Sequence, residues 1–260
     1  MNLKGYNLNF DAVSHTYELG GKLLTGTTTI LGILDKPFLK PWVAKLTSET
    51  IEKNWKPEVP YTKDAITLIC KDAKSAYKNV GKEAMDSGKL AHEFIEKLVK
   101  KLIETPLSKD KYQELYESLL AELPKDDKAV NSIGAFMKWM GEHEVRWLAS
   151  ELVLASPTYT FAGTIDAVAM IDGVMTLVDF KTSNQISDDY NLQLAAYYIL
   201  LDENLADEEP RPTQRLILRI PKTGKDFEAK VVQSDLKFEI NTFLHLREAY
   251  KWTVYMKNNN

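Results

Sequence analysis

One cysteine, Cys70, stands among 260 residues. That scarcity excludes internal disulfides, a cysteine-held structural zinc and an iron–sulfur cluster, and it fits a reducing compartment. No stretch approaches the roughly 18–20 apolar residues that span a bilayer, so no membrane partner is expected. The opening MNLKGYNLNF lacks the charged-then-apolar build of a secretory leader, and a cytoplasmic location is the expectation. No G-x-x-x-x-G-K-[ST] loop occurs, which excludes a built-in motor of that type. A basic excess is missing too, since 33 Lys and Arg face 37 Asp and Glu for a net charge of −4. That balance disfavours a protein that coats nucleic acid, but it is compatible with a local basic groove around an acidic site.

What is present is an ordinary globular composition, 44% hydrophobic and 27% charged, long enough for a sizeable core. No repeat or low-complexity linker divides the chain, so a single α/β domain over 1–260 is expected. Residues 1–84 read as an N-terminal strand and helix elaboration, and 85–260 as the core with a C-terminal helix. The first 30 residues predict a hairpin around Gly20-Gly21 and then a Thr-rich turn. Helices are predicted through about 37–147, among them Met85–Ile103 and Ala129–Leu148, with Pro106 and Pro124 as breaks. From residue 148 three antiparallel strands follow, then a helix through YNLQLAAYYILL capped by Ser187. RLILRIP and DFEAKVVQ predict two further strands, and a helix from about Leu236 to Met256 closes the chain.

The most informative segment is GTIDAVAMIDGVMTLVDFKTS. Asp172-Gly173 signals a hairpin turn, and alternation puts Thr164, Asp166 and Val168 on one face of the first strand. On the return strand Asp179 and Lys181 share a face while Phe180 points the other way. An isolated D-x-K is as often solvated decoration as a site. Here the flanks (Val174, Met175, Leu177, Val178, Phe180) are apolar, and buried charges need a partner or a metal. Two carboxylates beside an ammonium suit Mg2+ or Mn2+, as one ion or two, with the Phe180 carbonyl as a third oxygen and a phosphodiester as substrate. Lys181 then positions or deprotonates the attacking water and stabilises the transition state, or it simply pairs with the aspartates. Thr182 and Ser183, which follow it, are read as substrate contacts.

The order of helix, three strands, helix, strand resembles the core of the PD-(D/E)xK nuclease superfamily, and the residues resemble its RecB-type exonuclease branch without an iron–sulfur cluster. His92 in SGKLAHEFIEKL, Glu151 in SELVLAS, Asp166 in AGTID, Asp179 and Lys181 in VDFKTS, and Gln193 and Tyr197 in NLQLAAYY carry the resemblance. LLTGTTTILGIL…FLKPWVAK is also similar to the entry segment of the mitochondrial genome maintenance exonuclease and phage nucleases. The resemblance implies a restriction-endonuclease-like α/β fold, with a central mixed sheet flanked by helices. It also implies His92 as a metal ligand, with Gly88 one turn earlier letting the helix approach closely. Glu151 is either a carboxylate orienting Lys181 or a metal-bound water, or a solvated strand residue. Gln193 and Tyr197 contact substrate phosphate or brace the Asp179–Lys181 pair, or are helix residues meeting the sheet.

Lys71, Lys74, Lys78 and Lys82 fall at helical spacing beside Tyr77. Lys74 and Lys78 are therefore candidate contacts to a DNA backbone, against the commoner reading of a solvated helix face. The expected function is a Mg2+- or Mn2+-dependent exonuclease acting on DNA ends or single strands in repair, recombination or phage replication. Its setting would be a bacterial or phage-infected cell, with a recombination or replication protein as possible partner. The rival readings are a structure- or sequence-specific endonuclease, and a nucleic-acid-binding protein that has lost catalysis.

Overall fold

The computed structural model describes residues 1–105 and 111–259. Two compact units emerge, one made of Met1–Ile33 with Leu90–Asn260, the other of Leu34–Lys89. In the smaller unit lie α2 (Leu39–Asn54) and the start of α3 (Lys63–Glu104). Pro41 is tolerated in the first turn of α2, where its missing N–H has no intrahelical partner to lose.

The larger unit is built on a mixed eight-stranded sheet. Two N-terminal hairpin turns link β1 (Leu8–Asp11), β2 (Thr16–Leu19) and β3 (Lys22–Gly26), the second through Gly20-Gly21 as expected. The Thr-rich stretch is not a turn but a short helix, α1 (Thr27–Leu31). Burial of Thr27, Ile30 and Leu31 overrides the weak helix propensity of its β-branched residues. Three long strands follow in antiparallel order: β4 (Val145–Ser156), β5 (Phe161–Ile171) and β6 (Val174–Lys181). Asp172 and Gly173, with φ of 49° and 83°, form the turn between β5 and β6. Beyond β6 lie α6 (Asp189–Asn204), β7 (Gln214–Arg219), parallel to β6, and β8 (Glu228–Val231).

Several boundaries differ from expectation. The helix expected from Met85 begins at Lys63, and Pro106 lies outside the described residues. A short helix α4 (Tyr112–Ser118) precedes α5 (Asp127–Glu142), which is capped by Asp126 accepting from the Ala129 N–H. α5 stops before Leu148, and Trp147 belongs to β4, packed on Phe136 of α5. At α6 the cap position is Asp188 rather than Ser187, without a side-chain capping bond. The closing helix α7 (Leu236–Asn258) starts at Asp235, whose carboxylate accepts from the Lys237 and Phe238 N–H groups.

The main core joins Phe94, Leu98, Phe136 and Trp139 of α3 and α5 to Trp147, Ala167, Val178, Phe180 and Leu216 of the sheet. Strand α-helix packing of this kind stabilises by burying apolar area at about 25 cal/mol per Å2. α6 packs on β4, β5 and β6 and against α1 and α7. Across this unit, Arg215 is buried against Glu239 and the Ser234 carbonyl, which ties α7 to β7. Among the described residues no helix is long and apolar enough to cross a membrane.

Candidate active site

The sheet splits where the acidic residues lie. β4 runs along one edge of β5 for nearly its whole length. On the other edge β3 pairs only with Phe161 and Ala162, and β6 only with Ala167 to Ile171. Between these ladders, Gly163 to Asp166 has no strand partner on that side. The Asp166 carboxylate takes the place of the next ladder bond, with Oδ2 accepting from the Phe180 N–H at 2.7 Å.

Main-chain groups alternate edges along a strand. The Met175 and Lys181 carbonyls of β6 accept from Thr213 and Ile220, on the β7 side. The carbonyl of Phe180, at the intervening position, therefore faces the β5 side where Asp166 sits. The Phe180 ring points the opposite way from Asp179, into the core against Phe136 and Trp147.

Asp179 is fully buried, and both its oxygens lie close to Lys181 Nζ, at 2.8 and 2.6 Å. The ammonium also sits 4.8 Å from the centre of the Tyr190 ring, a cation–π contact. Burial pushes the Asp179 carboxyl up to about 6, against the pull of Lys181 and with a further push from Asp166. Burial alone would depress Lys181, but the charges of Asp179 and Asp166 prevail and hold it above its ordinary value. Asp166 is likewise raised by burial, opposed by Lys181 and by the Phe180 N–H.

Glu151 stands opposite Asp166, since the flanking pairs are Ser150 with Ala167 and Leu152 with Ile165. Its backbone is left-handed, φ 50°, a conformation that costs energy for a side chain of this kind. Its carboxyl is raised to about 8, first by burial and then by the Asp166 charge. His92, on α3, completes the group. One ligand atom each from His92, Glu151 and Asp166 lies within 4.8 Å of the others. Loss of water around the His92 ring, with Lys181 nearby, depresses its pKa to about 4, so the imidazole is neutral and able to ligate.

These donors fit a divalent cation. Two carboxylates set face to face are mutually repulsive without a positive charge between them, and a neutral imidazole and a main-chain oxygen complete a mixed N and O set. Glu151 thus joins His92 and Asp166, while Asp179 is engaged with Lys181.

Of the other expected residues, Gln193 and Tyr197 meet each other, the amide of Gln193 donating to the Tyr197 hydroxyl at 2.8 Å. Tyr197 is held far above its ordinary value by burial and by Asp166 and Asp179. Thr182 accepts from Lys222 through both its carbonyl and its hydroxyl at 2.8 Å, and the Ser183 hydroxyl donates to the Gln185 carbonyl. Lys74 and Lys78 are exposed on α3 in the smaller unit, with Lys71 and Lys82. Residues not anticipated from the sequence are Tyr190 and Lys222, and His15 and Tyr17 from the N-terminal hairpin. A cavity of 220 Å3 joins His15, Tyr17, Thr28 and Thr164 to Glu151, Asp166 and Tyr197. Nothing local marks His15 or Tyr17, because only the long-range pairing of β3 with β5 brings them here.

A family model described as the PD-(D/E)XK nuclease superfamily matches residues 73–251. A search of curated proteins finds no match.

Proposed function

Because the chain belongs to the PD-(D/E)XK nuclease superfamily and is on that ground a metal-dependent nuclease with DNA as substrate, we propose the finer reading of a DNA exonuclease using Mg2+ or Mn2+. The observation that carries it is the convergence of His92, Glu151 and Asp166 beside the Asp179–Lys181 pair. A divalent ion in such a set lowers the pKa of water and neutralises charge that builds on phosphoryl oxygens. His92, Glu151, Asp166 and the Phe180 carbonyl would hold it, and the imidazole in the set suits Mn2+ at least as well as Mg2+.

Lys181 supplies a fixed positive charge. Held on Asp179 and the Tyr190 ring, its ammonium is preorganised to meet charge developing on the phosphoryl group, without reorganising during the reaction. Held on Asp179 and close to Asp166, the ammonium acts here as an electrostatic stabiliser that positions the attacking water. Gln193 donates to the Tyr197 hydroxyl, and Tyr197 lines the same cavity as Asp166.

The exonuclease assignment rests on the resemblance to the RecB-type branch, carried by His92 one turn after Gly88 and Gln193 four before Tyr197. A role in repair, recombination or phage replication in a cytoplasmic setting follows the same resemblance. End-labelled linear DNA and a covalently closed circle, incubated with Mg2+ or Mn2+, test it. Linear DNA shortened from its end, an intact circle and no reaction with Asp179→Ala are expected. A nicked circle would replace the exonuclease by an endonuclease, and retardation without shortening would leave only a binding protein.

A further inference from the structure

The N-terminal hairpin borders a cavity that also reaches Glu151 and Asp166. This cavity, 220 Å3, holds the volume of roughly seven water molecules, which suits a nucleoside portion better than a base pair. One wall is formed by His15, Tyr17 and Thr28, and the floor by Thr164 of β5, next to Asp166. Gly163, which also lines the cavity, lets Thr27 and Tyr197 pack close to β5. A Cβ there would come within 2.8 Å of Thr27 Oγ1 and 3.1 Å of Tyr197 Cε1.

The lining is chemically selective. Tyr17 is buried, and its hydroxyl lies 3.3 Å from His15 Nε2 and 3.1 Å from Thr164 Oγ1. The row His15–Tyr17–Thr164 therefore leads from the rim to the strand that carries Asp166. Hydroxyls both donate and accept, which suits sugar oxygens and the polar edges of bases. A bare phosphate is disfavoured, because Glu151 and Asp166 border the same space. His15 is exposed, in a left-handed backbone conformation (φ 53°), with its ring braced edge-on to Phe10 and Tyr17. Strain of this sort persists where the surroundings over-determine it, and an exposed, braced ring is a surface on which a base can stack.

We propose that His15, Tyr17 and Thr164 form a nucleoside-binding subsite, which takes the nucleoside attached to the phosphodiester at Asp166. The assignment rests on the nuclease reading and adds to it the group that holds the substrate strand in register. It makes His15 and Tyr17 substrate-binding residues drawn from near the N-terminus, far in sequence from the β5–β6 hairpin.

The test measures equilibrium binding of dinucleotides by calorimetry with Ca2+ in place of Mg2+ or Mn2+, so that binding is read apart from cutting. Each dinucleotide is used intact and with either base removed. Wild type should lose about tenfold in affinity when one of the two bases is removed, the scale of a single stacked base. His15→Ala should lose about the same factor on the intact dinucleotide and show no further loss on the abasic one, because the stacking contact is already gone, whereas Tyr17→Phe should weaken intact and abasic dinucleotides alike. A purely structural role for His15 would leave the abasic penalty as large as in wild type. Equal binding by wild type and both variants, or a wild type that binds no dinucleotide, overturns the subsite. A wild type that binds with this pattern yet hydrolyses no DNA in Mg2+ or Mn2+ refutes the nuclease reading and leaves the subsite standing.

Discussion

Glu151 and Asp166 oppose each other across adjacent strands, and this pair makes stability depend on pH. Glu151 has an ordinary value of 4.5 and is raised to about 8 in the folded chain, by burial and by Asp166. A raised carboxyl favours folding while it is protonated, so its contribution is full below about 4.5 and is lost as pH rises through about 8. The metal-free protein should therefore melt lower at pH 9 than at pH 6 in this respect. Glu151→Gln should flatten that slope, as thermal melts across the range will show. The increment from added Mn2+ should grow with pH over the same window, since ligands bind metal only once deprotonated. An increment that shrank with pH would contradict the assignment. Lys181 makes a separate prediction. Removing it as Lys181→Met should lower kcat by about 10²–10³-fold while Mn2+ affinity, measured by calorimetry, is retained. The same change leaves Asp179 buried without its partner, so a loss of about 3–5 kcal/mol in urea unfolding is expected alongside.

Among elements, the β5–β6 hairpin was the most legible in the sequence. Asp172-Gly173 and the alternation around it specify the turn, and the opposite directions of Phe180 and Asp179 follow from the strand period alone. What was not legible depended on contacts distant in sequence. Trp147 carries the apolar pattern of α5 onward, yet belongs to β4, because the chain turns at His143 and Trp147 packs back on Phe136. The start of α3 at Lys63 was hidden by a mainly polar stretch whose helical period is set by lysines. Glu151 remained ambiguous until the β4–β5 register put it opposite Asp166. Gly163 was not singled out, since only the approach of Thr27 and Tyr197 reveals why a side chain is excluded. Gly163→Ala should therefore cost about 1–3 kcal/mol in stability, as overpacking does. It should also reduce activity through the displaced Tyr197. A neutral Gly163→Ala variant would show that this wall is not fixed.

At the scale of the molecule, a net charge of −4 and an exposed lysine row on α3 are reconciled if charge is partitioned by region. On the proposed reading the acidic residues of the site would accept metal, and the lysines would meet the DNA backbone. Lys74→Ala with Lys78→Ala should weaken binding to all DNA sequences alike and lower the slope of log affinity against log salt by about 2. An unchanged slope would make the row a solvated helix face. The fold class and the antiparallel run of β4, β5 and β6 followed from the sequence, but the N-terminal hairpin's place beside Asp166 did not. Its contribution comes from pairing across more than half the chain, which no local pattern records. The measurement that tests the central claim most directly is diffraction from crystals equilibrated with Mn2+, recorded at the manganese absorption edge. The account predicts an anomalous peak within about 2.1–2.4 Å of donor atoms from His92, Glu151 and Asp166. Saturating Mn2+ with no peak there, or with the ion held elsewhere, would contradict it.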